Sequence, residues 1–201
     1  MITTIIFDIG NVLADFTWRE HYEKFGYDDA MIERIADATV RSPIWNENDR
    51  GVWSDEQLLQ AMIDNDPEIE KDIRRVLDNV DTIVVHNDYA IPWIMALKEK
   101  GYRTLYLSNF SRKARVECAQ ALDFLPYLDG GILSYQEKVI KPMPEIYELL
   151  IERYQLVPEE CVFLDDTLVN LEAAGKFGIH TIQFKNQAQA IEELRALGVD
   201  A

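Results

Sequence analysis

Five short apolar runs, separated by longer amphipathic segments, constrain the fold of this chain more than any other feature of its sequence. The runs are TIIF, TLYLS, GGIL, CVFLD and HTIQF, at residues 4–7, 104–108, 130–133, 161–165 and 180–184. They lack the alternation of apolar and polar side chains that marks a strand with one face in water. We therefore expect each strand to be covered on both faces, as in a parallel sheet between two layers of helices.

Helical patterns separate the later runs and support the same fold class. We predict helices at 91–101, 111–122, 144–154, 170–178 and 188–198. Gly101 is placed to close the first helix, and Pro144 stands at the favoured first position of the third. Strands that alternate with helices of this length form right-handed βαβ units. The sequence thus predicts an α/β fold with a three-layer, doubly wound parallel sheet and a Rossmann-like core.

Residues 15–89 break this alternation. They contain helix signals at 28–40, 54–64 and 67–80, and the second begins with a capping box of Ser54 and Gln57. We find no strand signal between Asp15 and Tyr89. The prediction is a core domain of residues 1–14 and 90–201, which carries the catalytic site, and an inserted helical cap domain of residues 15–89.

Composition limits the partners and the location of the protein. A chain of 201 residues can form a hydrophobic core without stabilising disulfides or structural metal ions. The net charge of -16 disfavours binding to nucleic acid or an anionic membrane. A phosphorylated ligand would need a local cation. Cys118 and Cys161 have no metal or redox spacing and are expected to be reduced and buried. No signal peptide or membrane span is evident, so we expect a soluble, cytoplasmic protein, either a monomer or a homodimer.

Polar residues follow four of the elements at the edge where the strands of a parallel sheet end. They are Asp8, Gly10 and Asn11; Ser108 and Asn109; Lys141; and Asp165, Asp166 and Asn170. Ligands bind at this edge in open α/β sheets. Taken singly, each has an ordinary alternative: a turn cap for Asp8, a helix N-cap for Ser108, a solvated side chain for Lys141. The adjacent acids Asp165 and Asp166 more strongly indicate a bound cation.

Together these motifs resemble the haloacid dehalogenase-like hydrolase superfamily over nearly the whole chain. The matching segments are FDIGNV, LSN, KPMPEIY and FLDDTLVN, which contain Asp8, Ser108, Lys141, and the Asp165 and Asp166 pair. The helical insert resembles the small cap of the first subfamily. The FDxGNV form is similar to a branch of sugar-phosphate phosphatases that includes α-glucose-1-phosphate phosphatases.

The resemblance implies a Mg²⁺-dependent phosphatase that acts on a small phosphate ester. Asp8 would be the nucleophile that forms an aspartyl phosphate, Ser108 would bind phosphate oxygens, and Lys141 would neutralise charge. Mg²⁺ would be held by Asp8, Asp165, Asp166 and the carbonyl of Gly10. The further candidates for substrate binding are Asn11, Asn109 and Arg50.

Gly10 departs from the family pattern, because most phosphatases of the superfamily carry a second acid two residues after the nucleophile. Such an acid contributes about 10²–10⁴-fold to the rate. One alternative is a substitute, for which Asp15 or a cap residue is the candidate, with Asn170 as a possible acid/base or supporting residue. Asp15 could instead cap a helix that begins near Trp18. The others are a substrate with a better leaving group, or a protein that binds phosphate ligands without turnover.

Two further alternatives remain. The same scaffold can host a 2-haloacid dehalogenase, which needs no metal, and there the paired acids would repel an anionic substrate. Within the cap, SPIWNENDRGVWS at 42–54 could bring Arg50 and a tryptophan to the substrate, or could be a polar turn fixed by Trp45 and Trp53. His21, His86 and His180 show no partner spacing and are expected to be structural or exposed.

Overall fold

The structure, a computed structural model, describes residues 1–201 as seven strands and eleven helices. In chain order these are β1 (Thr4–Phe7), β2 (Ala14–Phe16), α1 (Trp18–Glu23), α2 (Asp29–Ala38), α3 (Ile44–Arg50), α4 (Asp55–Asn65), α5 (Glu70–Asp78), β3 (Val84–His86), α6 (Ala90–Glu99), β4 (Arg103–Ser108), α7 (Arg112–Glu117), β5 (Gly131–Leu133), α8 (Ser134–Glu137), α9 (Pro144–Tyr154), β6 (Cys161–Asp165), α10 (Leu168–Gly175), β7 (His180–Gln183) and α11 (Gln187–Ala196).

Five of the strands form one parallel sheet in the order β5-β4-β1-β6-β7. β1 lies at its centre, with Ile6 opposite Leu105 of β4 on one side and Phe163 of β6 on the other. The predicted α/β fold class is confirmed. The order also places the ends of β1, β4 and β6 side by side, which is where the polar residues follow the strands.

The two faces of the sheet carry separate hydrophobic clusters, which explains why its inner strands lack polar alternation. The expectation that every strand is covered on both faces is wrong for the edge strand β7, where His180, Thr181 and Gln183 are exposed. Ile5 and Phe7 pack on one face with Trp93 of α6, whereas Ile6 packs on the other face with Leu171 of α10. Each of these strand residues is fully buried. Burying such a side chain stabilises the fold by about 1.5–3 kcal/mol, and this favours apolar residues at every position of a central strand.

The inserted helices have a cluster of their own, which includes Tyr22, Ile35 and Ile73. Val80 and Val84, near the end of the insert, belong instead to the cluster of Ile5, Phe7 and Trp93. The division into core and cap domains stays a prediction. The prediction that no strand lies between Asp15 and Tyr89 is wrong, because β2 and β3 form a two-stranded antiparallel sheet at this junction. Three-residue strands are too short to show a period.

The helices follow their sequence signals, with three differences. The predicted bounds of α9 are confirmed, the capping box begins α4, and Gly101 follows α6 with a left-handed φ of 87°. The expected helix at 111–122 is α7 followed by a 3₁₀ turn, Ala119–Leu122, and this lets both Cys118 and Leu122 enter the core. The helix expected at 67–80 begins with a 3₁₀ turn, Pro67–Ile69, and α3 replaces an expected turn.

Both cysteines are free and buried, in agreement with the sequence prediction. None of the helices combines the length and the apolar character that crossing a membrane requires.

Candidate active site

The side chains that follow β1 and β6 meet at one edge of the sheet. Carboxylate oxygens of Asp8, Asp165 and Asp166 all lie within 4.8 Å of one another. The backbone N–H of Asp8 donates to the carbonyl of Leu164, and the N–H of Ile9 donates to Asp8 Oδ1 at 2.7 Å. These bonds fix the Asp8 carboxylate beside the end of β6. The parallel topology therefore brings together acids that are far apart in the sequence.

Lys141 supplies the cation of this cluster. Its Nζ lies 2.9 Å from Asp8 Oδ2 and 2.6 Å from Asp165 Oδ2, and only 2% of the residue is exposed. Burial disfavours the charged ammonium, but the two carboxylates outweigh this and raise the pKa of Lys141 above its ordinary value. Lys141 is therefore a buried, charged partner of Asp8 and is not the solvated surface lysine that the sequence left as an alternative.

Asn109 holds the backbone of Lys141 in place. Its Nδ2 donates to the carbonyl of Lys141 at 3.0 Å, and its Oδ1 accepts from the N–H of Lys141 at 2.7 Å. Asn109 also lines the cavity described below. Ser108, at the end of β4, is 1% exposed, and its hydroxyl donates to the carbonyl of Asn109 at 3.4 Å. Contacts of Ser108 and Asn109 with a substrate stay predictions.

Asp165 uses both of its oxygens within the protein. Oδ1 accepts from the N–H of Thr167 at 2.8 Å and from Asn170 Nδ2 at 3.1 Å. Oδ2 accepts from Lys141 and, at 3.1 Å, from the same Asn170 amide. These contacts show Asp165 orienting Lys141, and Asn170 orienting Asp165. A direct metal bond to Asp165, and an acid/base role for Asn170, stay predictions that these contacts do not support.

Asn11 connects the loop after β1 to the end of β6. Its Nδ2 donates to Asp166 Oδ2 at 2.9 Å, and its Oδ1 accepts from the N–H of Phe16 at 3.1 Å. Asn11 has a left-handed φ of 57°, a conformation that asparagine tolerates better than most residues. The loop between Asp8 and β2 is thus held by Asn11. Substrate binding by this residue stays a prediction.

The acids outnumber the cations at this edge, which suits a divalent metal ion. Burial raises the pKa of Asp8 to about 7, with Lys141 lowering it and Asp165 raising it. One ammonium cannot balance three carboxylates in so small a space. Hard carboxylate oxygens are the ligands that Mg²⁺ prefers, so the donor set fits this ion. Asp166 is only half-buried, which leaves it accessible from the cavity.

A cavity of about 540 Å³ lies between the core and the inserted helices. Its lining includes Asp8, Gly10 and Asn109 from the core, and Trp45 and Asp49 from α3. A volume of this size is in the usual range for small-molecule sites. The nucleophile predicted from the sequence therefore lies in a space that could hold a small ligand.

Asp49 is the residue of this site that sequence reasoning missed. Its carboxylate has no hydrogen bond or ion pair in the structure. Burial, followed by the nearby charge of Asp8, raises the pKa of Asp49 to about 7, with Lys141 opposing the shift. Trp45 and Asp49 lie one helical turn apart and line the same cavity. If residues 44–50 had been recognised as a helix, this four-residue spacing would have placed both side chains on one face.

Arg50 and Asp15 have contacts that differ from those the sequence suggested. Arg50 Nε donates to the carbonyl of Lys138 at 3.2 Å, and Arg50 does not line the cavity, so its binding of substrate stays a prediction. Asp15 lines the cavity and accepts from Asn87 Nδ2 at 3.0 Å. The N-cap of α1 is Thr17, and therefore the N-cap alternative for Asp15 is wrong.

The two tryptophans and three histidines have mixed environments. Trp45 packs against Phe16 and lines the cavity, whereas Trp53 is 37% exposed. A turn fixed by two core tryptophans is therefore wrong. The histidines are structural or exposed as expected, with His21 buried among inserted helices, His86 beside Asp123, and His180 on an exposed strand end.

Comparison with known proteins identifies the family of the chain. The family model described as haloacid dehalogenase-like hydrolase matches residues 2–178. The chain belongs to this family. It is accordingly an enzyme of the hydrolase class, and its helices and parallel sheet have the fold of the family.

The names of relatives of this hydrolase refer to several activities. D-ribitol-5-phosphate phosphatase of Bacteroides thetaiotaomicron is 26% identical over 98% of both chains. (S)-2-haloacid dehalogenase 4A of Burkholderia cepacia is 24% identical over 87% of this chain and 71% of its own length. Acyl-CoA dehydrogenase family member 10 of Mus musculus is 36% identical over 52% of this chain. This hydrolase matches only 10% of the length of that mouse protein.

A solved structure agrees on the fold. It is a HAD family enzyme of Bacteroides thetaiotaomicron in complex with magnesium and inorganic phosphate, with a TM-score of 0.68 and 23% identity. The match covers 92% of this hydrolase and 95% of the solved chain.

Proposed function

We propose that this hydrolase is a Mg²⁺-dependent phosphomonoesterase of the cytoplasm that acts on small phosphorylated metabolites, sugar phosphates in particular. The observation that carries the proposal is the Asp8 carboxylate, which lines a cavity, is paired with buried Lys141 and is grouped with two further acids. The ribitol phosphate phosphatase that matches the whole chain supports the choice of substrate class.

In this proposal Asp8 attacks phosphorus and forms an aspartyl phosphate. Ile9 and Lys141 each hold one of its two carboxylate oxygens, so the nucleophile has a fixed orientation. The Lys141 ammonium offsets the negative charge that gathers when a phosphate approaches a carboxylate. Asn109 keeps the ammonium in place through its two bonds to the backbone of Lys141.

Asp8, Asp166 and the carbonyl of Gly10 would hold Mg²⁺. When bound, the ion would attract phosphate oxygens and offset the excess of carboxylates. Asn11 fixes the orientation of Asp166 through its amide. Asp165, whose oxygens are already occupied by Lys141, Asn170 and Thr167, would act by holding Lys141.

A 2-haloacid dehalogenase is the second candidate, because the Burkholderia cepacia relative has that name. The electrostatics favour the phosphatase. Asp165 is fully buried beside Asp8, and Asp166 lies next to both. A 2-haloacid would add a further carboxylate to this cluster, and its dehalogenation uses no metal ion that could offset the added charge.

A panel of sugar, alkyl and aryl phosphates with Mg²⁺, run beside a panel of 2-haloacids, tests the proposal. We expect phosphate release that stops in excess EDTA and returns with added Mg²⁺. Asp8→Asn should lower the rate at least about 10³-fold, since it removes the nucleophile. Asp81→Asn is a matched control, because Asp81 is exposed and its side chain has no polar partner in the structure. Equal rates for wild type and Asp8→Asn would contradict the proposal, as would halide release without phosphate release.

A further inference from the structure

Cleavage of a phosphate monoester requires a proton donor and later a proton acceptor. The leaving oxygen carries negative charge until it is protonated, and the water that hydrolyses an aspartyl phosphate must lose a proton. Gly10 has no side chain that could do either. If this hydrolase acts as proposed above on esters with alcohol leaving groups, another side chain around the cavity must exchange these protons.

Most acids near Asp8 are already engaged by other groups. Asp165 accepts hydrogen bonds at both oxygens. Asp166 accepts from Asn11 and from the hydroxyl of Thr167. Asp15 accepts from the Asn87 amide. A carboxylate held by a donor has a lower tendency to bind and release a proton during turnover.

Asp49 differs from these acids in its contacts and in its direction of approach. It lines the same cavity as Asp8 but belongs to α3, an element separate from the strand ends that carry the other acids. Its carboxylate has no polar partner, and the charged groups that affect it are Asp8 and Lys141. A group of this kind is free to exchange protons with a ligand between α3 and Asp8.

The backbone around Asp49 is tied to the core, which fixes the point from which its side chain extends. Ser134 Oγ donates to the carbonyl of Asp49 at 2.6 Å, and Lys138 Nζ donates to the carbonyl of Gly51 at 2.6 Å. The Arg50 guanidinium returns a bond to the carbonyl of Lys138. Three hydrogen bonds thus hold the end of α3 against α8 and against Lys138, the residue that follows α8.

Gly51 makes this close approach possible. It has a left-handed φ of 68°, and a Cβ at this position would lie 2.9 Å from both Cβ and the carbonyl oxygen of Tyr135. A residue with a side chain could not fit without moving α3 away from α8. The three residues of Asp-Arg-Gly at 49–51 therefore act together. Gly51 permits the close contact between α3 and α8, Arg50 adds a hydrogen bond to it, and Asp49 lines the cavity.

We propose that Asp49, supplied by the helical insert, is the general acid and general base of this hydrolase. In the first step Asp8 forms a bond to phosphorus, the bond from phosphorus to the substrate oxygen breaks, and the Asp49 carboxyl gives its proton to that oxygen. In the second step water attacks phosphorus, Asp49 takes a proton from the water, and the bond to Asp8 breaks. Alcohol and inorganic phosphate leave, and both aspartates return to their starting forms.

Two further observations support the assignment. Burial and the charge of Asp8 raise the pKa of Asp49 to about 7, so both protonation states are accessible near neutral pH. The space above Gly10 is open, since a Cβ built there would meet no atom within 4 Å. A ligand in the cavity therefore meets no side chain at position 10.

Rapid-mixing kinetics with Asp49→Asn test this proposal, because an acid matters only for leaving groups that need a proton. For a primary alkyl phosphate we expect Asp49→Asn to lower kcat by about 10²–10⁴-fold. 4-Nitrophenyl phosphate has a leaving group that is stable as an anion. With this ester the variant should release about one equivalent of 4-nitrophenolate per site at close to the wild-type rate, and then hydrolyse the aspartyl phosphate slowly. Asp49→Glu should retain more activity than Asp49→Asn.

Glu56→Gln is the matched control, since Glu56 is an exposed acid at the rim of the same cavity. It should behave as wild type with both esters. Equal losses for Asp49→Asn with both esters and no burst would indicate a structural role and overturn the proposal, as would activity within about twofold of wild type. If wild type itself releases no phosphate with Mg²⁺, the proposed function fails, and the assignment of Asp49 fails with it.

Discussion

Replacement of Lys141 by methionine gives the strictest test of the electrostatics described above. Methionine is unbranched and close to lysine in length, and it can keep the packing near Phe163, whose ring centre lies 5.3 Å from Lys141 Nζ. The substitution removes the charge and leaves Asp8 and Asp165 without a counterion. The side chains of Lys141 and Asp165 are 1% and 0% exposed, so water cannot replace the lost partner.

The distances give the size of the effect. At 2.6 Å and 2.9 Å from Nζ, and with an effective dielectric constant of about 20, Coulomb's law gives about 6 kcal/mol for each contact. The desolvation of the ammonium offsets much of this attraction. Removing one partner of a buried pair lowers the free energy of unfolding by about 3–5 kcal/mol, and we expect a loss of that size at pH 8 in EDTA.

The loss should depend on pH in a defined direction. Without Lys141 the pKa of Asp8, already raised to about 7 by burial, rises further, whereas that of the unfolded carboxyl stays near 3.8. Between these two values the folded variant binds more protons than the unfolded chain. Its stability must then fall as the pH rises through this window. In wild type this fall ends near pH 7, whereas in the variant it continues to a higher pH. The difference in stability from wild type should therefore be smaller at pH 5 than above pH 7.

Urea unfolding of wild type and Lys141→Met at pH 5 and pH 8 measures both quantities. Lys71→Met is a matched control, because Lys71 is exposed and its side chain has no polar partner in the structure. In an Asp165→Asn background the same substitution should destabilise the protein less, since one of the two stranded carboxylates is gone. A loss below about 1 kcal/mol at pH 8, or equal losses at both pH values, would refute the reasoning.

Three more perturbations follow from single contacts. Gly10→Asp in the Asp49→Asn background should restore alkyl phosphate hydrolysis at least about tenfold in steady-state assays, because its Cβ has open space; no recovery would contradict the assigned roles. Gly51→Ala should lower the free energy of unfolding by at least about 1 kcal/mol in urea titrations, since its Cβ would clash with Tyr135; an unchanged midpoint would contradict the tight contact. His21 is buried and hydrogen-bonded to the Val76 carbonyl, and burial lowers its pKa below 6.5. The folded state therefore binds fewer protons than the unfolded chain, and the free energy of unfolding should fall as the pH drops below about 6.5. His21→Gln should lose less stability between pH 7.5 and 5.5 than wild type does.

The sequence predicts the sheet and the core side of the site well, for a physical reason. A parallel sheet makes its strand ends adjacent, so Asp8 and Asp165 can be placed together once the buried runs at 4–7 and 161–165 are recognised as strands. Lys141 follows from the same topology, because it precedes a helix with proline at its first position.

The cap side could not be predicted in the same way. β3 has three residues and α3 has seven, which is too little sequence for a period to be distinguished from chance. The contact that matters most joins Asp49 to Ser134 across 85 positions of the chain. No local pattern encodes it, and the interpretation of 42–54 as a turn concealed that Trp45 and Asp49 share a helix face.

Glycine at position 10 is compatible with an acid at position 49 for an electrostatic reason. The cluster around Asp8 already groups three carboxylates with one ammonium, and burial already raises the pKa of Asp8 to about 7. An acid added at position 10 beside Asp49 would bring a further negative charge to this edge and raise the pKa of Asp8 again, which weakens the nucleophile. A proton donor on α3 belongs to a different element and does not add a charge to the loop of Asp8 itself. A gain from Gly10→Asp is therefore expected only when Asp49 has been removed, and in wild type the same substitution should leave the rate unchanged or lower.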